Sequence, residues 1–153
     1  MKNTLILIGC IVGCISVGAL SGFGTAAGLE TWYPTAIKPS FNPPNWIFGP
    51  VWTLLYAMMG VAIFLVWKKA GVQRTPFLLF FLQLALNFFW SFLFFYFNKL
   101  GLALIEIIVL WGFILATIIS FSKYSKVAAY LLVPYLLWVS FATVLNAAFY
   151  LLN

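Results

Sequence analysis

Trp32-Tyr33-Pro34-Thr35-Ala36-Ile37-Lys38-Pro39-Ser40-Phe41-Asn42-Pro43-Pro44-Asn45-Trp46 is the only extended stretch of this chain that is both polar and stiff, and the sequence on either side of it is almost wholly apolar. Five of the seven prolines (Pro34, Pro39, Pro43, Pro44 and Pro50) fall in it or just after it. Its backbone is therefore expected near polyproline geometry, with little freedom left to lose on closing over a ligand. The rings of Trp32, Tyr33, Phe41 and Trp46 combine flat apolar faces with polar edges, which suits a loop at a membrane surface or over an apolar ligand. The stretch reads as a lid.

Outward from this lid the composition is 65% hydrophobic, 20% aromatic and 7% charged, with a mean hydropathy of +1.12. A soluble globule of 153 residues built from such a chain would carry a mostly apolar surface, so this is a membrane protein. A helix rising 1.5 Å per residue needs about 20 apolar residues to cross about 30 Å of hydrocarbon. Five runs meet that length, at residues 4–28, 46–67, 76–97, 101–121 and 127–151. The expected fold is all-α: a single transmembrane five-helix domain over residues 1–153, with the first loop as its lid.

The net charge of +6 does not point to nucleic acid, because the basic residues are spread over the connecting loops. Lys2, Lys68, Lys69, Arg74, Lys123 and Lys126 fall on the side of the N-terminus, and Lys38 and Lys99 on the other. The positive-inside bias then predicts a cytoplasmic N-terminus with the lid and C-terminus outside, in a bacterial cell membrane. Cys10 and Cys14 share a face of the first helix and read as small packing residues. Histidine and aspartate are absent, which removes Ser-His-Asp chemistry, histidine-ligated haem and most catalytic metal sites.

Along the first span the pairs Gly9 and Gly13, Gly18 and Gly22, and Gly24 and Gly28 have the spacing that lets helices approach closely, within the bundle or between subunits. The same segment also carries features of a secretory signal. Pro50 is expected to bend the second helix, and Trp52 and Tyr56, one turn apart, share a face just below the lid near Phe48. In the third span Gln83, Asn87 and Trp90 share a face; amides at this depth are expected to meet protein or ligand rather than lipid. Glu106 is the sole acid near membrane depth. In the fifth span Trp138, Ala142 and Asn146 step by four, with Ala142 leaving room beside the indole.

Several of these stretches together resemble the translocator protein family, also called the tryptophan-rich sensory protein or peripheral benzodiazepine receptor family. They are Trp32-Tyr33, Lys38-Pro39-Ser40, Pro43-Pro44-x-Trp46, Pro50-x-Trp52, Gln83-Leu84-Ala85-Leu86-Asn87, Pro134-Tyr135-Leu136-x-Trp138 and Phe141-Ala142-Thr143-Val144-Leu145-Asn146. The resemblance implies a five-helix bundle, often a homodimer, whose pocket opens toward the first loop and binds porphyrins, haem, sterols and benzodiazepine-type ligands. It implies Tyr33, Pro43, Trp52, Asn87, Trp138 and Ala142 as ligand-binding residues; the helix reading adds Phe48, Tyr56 and Trp90. The family's cholesterol-recognition stretch is incomplete here, because no basic residue follows Tyr150, so tetrapyrrole ranks above sterol.

The expected function is that of a receptor-like protein for tetrapyrrole sensing or homeostasis, needing no cofactor and no metal, in which a macrocycle stacks on Trp52 and Trp138. One alternative is light-dependent degradation of porphyrin, with the bound ring as photosensitiser and Trp52 and Trp138 as the indoles that react. The other is transport of porphyrin or sterol, for which five helices offer no pair of equal repeats.

Overall fold

A computed structural model describes residues 1–153. Helix α1 spans Lys2–Glu30, α2 Phe48–Ala70, α3 Arg74–Ser91, α4 Leu100–Ser122, α5 Lys126–Leu131 and α6 Val133–Leu152. A 3-10 turn at Asn45–Ile47 leads into α2, and a π-helical turn at Phe92–Tyr96 extends α3. Because α5 runs on into α6, five spans are long and apolar enough to cross a membrane: Lys2–Glu30, Asn45–Ala70, Arg74–Tyr96, Leu100–Ser122 and Lys126–Leu152. The chain is a five-helix bundle without strands, as composition and run length predict.

The ends of the helices follow from local chemistry. Lys68 and Lys69 occupy the last turn of α2, where the helix dipole favours cations, and Gly71 takes φ 68° to let the chain turn away. Asn98, at φ 50°, makes the tight corner between the π turn and α4, closed by the Lys99 amide donating to the Leu93 carbonyl at 2.8 Å. The Ser125 hydroxyl accepts from the Ala128 amide at 3.2 Å and caps α5. Pro134 has no N–H to continue the ladder, and the fifth span is interrupted at Leu132. Pro50 behaves differently from its expected role as a bend. It sits in the first turn of α2, where its missing N–H would have had no helical partner, and the irregularity is taken up by the 3-10 turn before it.

Around the bundle α1 packs on α2, α2 on α5, the α5–α6 span on α4, α4 on α3, and α3 with its π turn back on α1. Two glycines set the closest approaches. A Cβ on Gly60 would lie 2.7 Å from the Cys10 carbonyl oxygen, so α1 and α2 touch backbone to backbone there. A Cβ on Gly28 would run into the Phe95 carbonyl, which seats α1 against the π turn. Gly9, Gly13 and Gly22 have nothing within 4 Å of that position, so half of the glycines expected to draw helices together make no such contact inside this chain. Cys14 is buried in the core as a packing residue, and neither cysteine is in a disulfide.

Gly60→Ala is expected to lower the unfolding temperature in detergent, with an overpacking cost of about 1–3 kcal/mol. Gly9→Ala is expected to leave it unchanged or slightly raised, since the added methyl meets no protein atom.

Candidate functional site

The lid is pinned at three points. The Trp32 indole donates to the Phe95 carbonyl at 2.7 Å, a group presented by the π turn. The Tyr33 hydroxyl donates to Asn42 Oδ1 at 2.7 Å within the loop itself. Asn153 grips the backbone of Ile37 from both sides, accepting from its N–H at 2.9 Å and donating to its carbonyl at 3.1 Å. Only part of the loop is extended: turns at Thr31–Thr35 precede the polyproline-like Pro44, at φ −58° and ψ 141°. Burial raises the pKa of the Tyr33 phenol above its ordinary value, and its ring lies 5.2 Å from Phe149 and 5.7 Å from Phe95.

Beneath the lid the aromatic side chains expected at a site stand close together. Trp52 and Trp138 point inward, as stacking on a ligand requires, but they meet each other edge to face at 6.5 Å. Phe48 closes on Trp138 at 6.3 Å, and Trp138 on Phe141 at 5.5 Å. Tyr33, Trp90 and Ala142 complete the cluster, and the space left among these rings is about 10 Å³, roughly the room of one water molecule. Ala142 lines that small space.

The open space lies on the other side of Phe48 and Trp52. There a cavity of about 360 Å³ separates α1 from α2 and α3, within the size range of small-ligand sites. Its rim is exposed: Ala19, Gly22 and Ala26 on α1, Gly49 and Thr53 on α2. Its floor is buried and polar: Ser21, Tyr56, Asn87 and Ser91. The cavity therefore opens sideways, between α1 and α2. No charged residue lines it. Gly18 is what admits the Tyr56 ring to the floor, since a Cβ there would collide with it.

Of the residues singled out in the sequence, Phe48, Trp52, Tyr56 and Asn87 line this cavity. Tyr33, Trp90, Trp138 and Ala142 belong to the closed cluster behind it, and Phe48 and Trp52 border both spaces. Pro43 is half-buried and lines neither; its carbonyl accepts from Asn42 Nδ2 at 3.2 Å. Glu106 lines neither as well, and both of its carboxyl oxygens are buried without a hydrogen-bond partner. The α1 wall, from Gly18 to Ala26, escaped the sequence reading because small residues signal close packing and hollow space alike.

The amides are tied between helices. Asn87 accepts from Tyr56 at 3.1 Å and donates to the Tyr135 hydroxyl at 2.7 Å, and Tyr135 donates to Gln83 at 2.8 Å. One turn further toward the lid, the Trp90 indole donates to Asn146 Oδ1 at 3.1 Å, and Asn146 Nδ2 donates to the Leu100 carbonyl at 2.9 Å. Asn146 thereby joins α3, α4 and α6.

The model of the TspO/MBR family matches residues 10–151. The chain is similar to Tryptophan-rich protein TspO of Archaeoglobus fulgidus, at 42% identity over 99% of both chains. It is also similar to human Translocator protein, at 41% identity over 91% of this chain and 80% of the relative. Tryptophan-rich sensory protein of Cereibacter sphaeroides is 37% identical, over 84% of this chain and 81% of the relative.

Asn146→Leu is expected to cost about 1–3 kcal/mol by stranding the Trp90 N–H. A double-mutant cycle with Trp90→Phe, read by thermal unfolding in detergent, should return most of that cost as coupling between the two sites.

Proposed function

The chain belongs to the TspO/MBR family of integral membrane proteins, and from that premise we propose that it is a receptor-like protein that takes flat apolar ligands, tetrapyrroles first among them, into the cavity between α1 and α2. The observation that carries this reading is the cavity itself: about 360 Å³, opening between two helices long and apolar enough to cross a membrane, walled by the Trp52 and Phe48 rings and floored by four buried polar side chains. A ligand dissolved in the bilayer enters such a mouth without crossing water. Protoporphyrin, haem held through its ring, sterols and benzodiazepine-type molecules share the required apolar frame.

A tetrapyrrole is broader than the open space, so its entry requires Trp52 to swing away from Trp138 and join the cavity to the aromatic cluster. Each edge-to-face contact given up is worth about 0.5–1.5 kcal/mol, and stacking of the freed indoles on the macrocycle supplies contacts of the same kind. The exchange is close to even, and burial of the ring decides it. Trp138 and Ala142 then become ligand contacts on opening, while Trp52 meets the ligand first. In a light-driven reaction at the same site, Trp52 is accordingly the indole nearest a bound photosensitiser. The split of basic residues favours a cytoplasmic N-terminus, which sets the cavity in the outer half of a bacterial cell membrane.

Quenching of tryptophan fluorescence by protoporphyrin tests the site. Wild-type protein should quench saturably and more strongly than with cholesterol. Gly22→Leu adds bulk at the exposed rim, where no protein atom lies within 4 Å, and should weaken protoporphyrin at least ten-fold without changing thermal stability. Trp52→Phe should weaken it less, by removing part of the stacking surface. Unchanged affinity in Gly22→Leu would remove the cavity from the ligand's path.

A further inference from the structure

Glu106 holds the only buried side-chain oxygens in the chain that lack a hydrogen-bond partner. It lies roughly 9 Å along the axis of α4 from Leu100, inside a span long and apolar enough to cross a membrane. The buried amides of the bundle are each tied: Gln83 to Tyr135, Asn87 to Tyr56 and Tyr135, and Asn146 to Trp90 and the Leu100 carbonyl. Glu106 is tied to nothing. On α4 it stands at the border between the buried residues Ala103, Ile107 and Leu110 and the exposed residues Leu102, Ile105 and Val109. Glu106 as a whole is half-buried while both carboxyl oxygens are covered, so what it exposes is its hydrocarbon stem.

An ionised carboxylate in an apolar setting needs a cation or several donors, and this one has neither; Lys99, the nearest cation along α4, is exposed at the start of the helix. Glu106 is therefore carried as the neutral acid. Because no hydrogen bond holds either oxygen, turning the carboxyl outward past Ile105 or Val109 breaks none, and the neutral group passes from one apolar setting to another. We propose that Glu106 is a modification site reached from the bilayer: an untethered carboxylic acid open to apolar, carboxyl-seeking reagents of the hydrophobic carbodiimide class. The assignment is independent of the cavity between α1 and α2, which Glu106 does not line. In the reaction the O–H proton passes to one carbodiimide nitrogen, and the carboxylate oxygen bonds to the central carbon as one C=N becomes C–N. The product is an O-acylisourea, with no leaving group. Where water is excluded, the remaining imine nitrogen attacks the acyl carbon, the bond from that carbon to the bridging oxygen breaks, and its electrons form the C=O of a stable N-acylurea. Glu30, the only other acidic side chain, is exposed at the end of α1. There water returns the same intermediate to the acid and a free urea, so the bilayer sorts the two acids.

Treatment of the purified protein in phosphatidylcholine nanodiscs with N,N′-dicyclohexylcarbodiimide at neutral pH, followed by peptide mass mapping, reads the site directly. The N-acylurea should appear on the peptide that contains Glu106 and be absent from those that contain Glu30 or the C-terminal Asn153. A cationic, water-soluble carbodiimide with an amine as trap should reverse the pattern, labelling Glu30 and sparing Glu106. Glu106→Gln should lose the dicyclohexyl adduct from the whole protein, while Glu30→Gln should keep it in full. Should Glu106→Gln fail to fold, the wild-type peptide map decides alone. An unlabelled Glu106 in folded protein, labelling that appears only after denaturation, or an adduct shared equally with Glu30 overturns the proposal.

Discussion

Hydrocarbon offers no partner to a buried amide or hydroxyl, so every such group in this bundle must be satisfied by another helix. The hydrogen bond from Asn87 to Tyr135 is where that constraint bites hardest, because it ties α3 to α6 while Tyr56 and Gln83 extend the tie to α2. Interhelical hydrogen bonds in membranes average only about 0.6 kcal/mol, so they are not what holds the helices together. Stranding one partner costs about 1–3 kcal/mol, and that asymmetry makes them selectors of register. A slip of one residue in α3 would orphan the donors and acceptors along the whole run at once.

Packing supplies the cohesion, and it is uneven. α2, α3 and the α5–α6 span meet around aromatic rings, from the Trp90–Phe94 stack at 5.3 Å to the Tyr33–Phe149 contact at 5.2 Å. α1 has the smallest share of buried residues among the five spans, and its closest approaches to its neighbours fall at Gly18, Gly24 and Gly28 and where Gly60 of α2 meets Cys10 and Ile11. Hollow space collects where rings face small residues, and this places the cavity along α1. It also explains why Phe48 and Trp52 stand between a filled cluster and an open one: they are the last large rings before the small-residue wall begins.

Much of this was legible in the sequence. Span number and bounds follow from run length, and the facing of Gln83, Asn87 and Trp90 follows from helical periodicity. The inward turn of Trp52 and Trp138 agrees with their shared-face spacing. What periodicity does not encode is whether rings that face one another enclose a space or fill it, since both arrangements need the same residues on the same faces. Trp138 and Ala142 line a space of about 10 Å³. Gly18 and Gly22 have the same spacing as Gly24 and Gly28, yet Gly22 faces open space and Gly28 a carbonyl. The partner decides, and the partner is not written in the local sequence.

The stiff loop that dominates the sequence is fastened by side chains as well as by its prolines. It is held by the Trp32 indole on the π turn, by Tyr33 on Asn42 and by the doubled contact between Ile37 and Asn153. Releasing it would also pull the Tyr33 ring away from Phe149. The rim of the cavity between α1 and α2 is made of Ala19, Gly22, Ala26, Gly49 and Thr53, none of which the loop contacts through a hydrogen bond. Proline stiffness then serves bracing. By fixing Trp32 and Tyr33 against Phe94, Phe95 and Phe149, the loop braces the back of the aromatic cluster, while Phe48 and Trp52 form its boundary with the cavity.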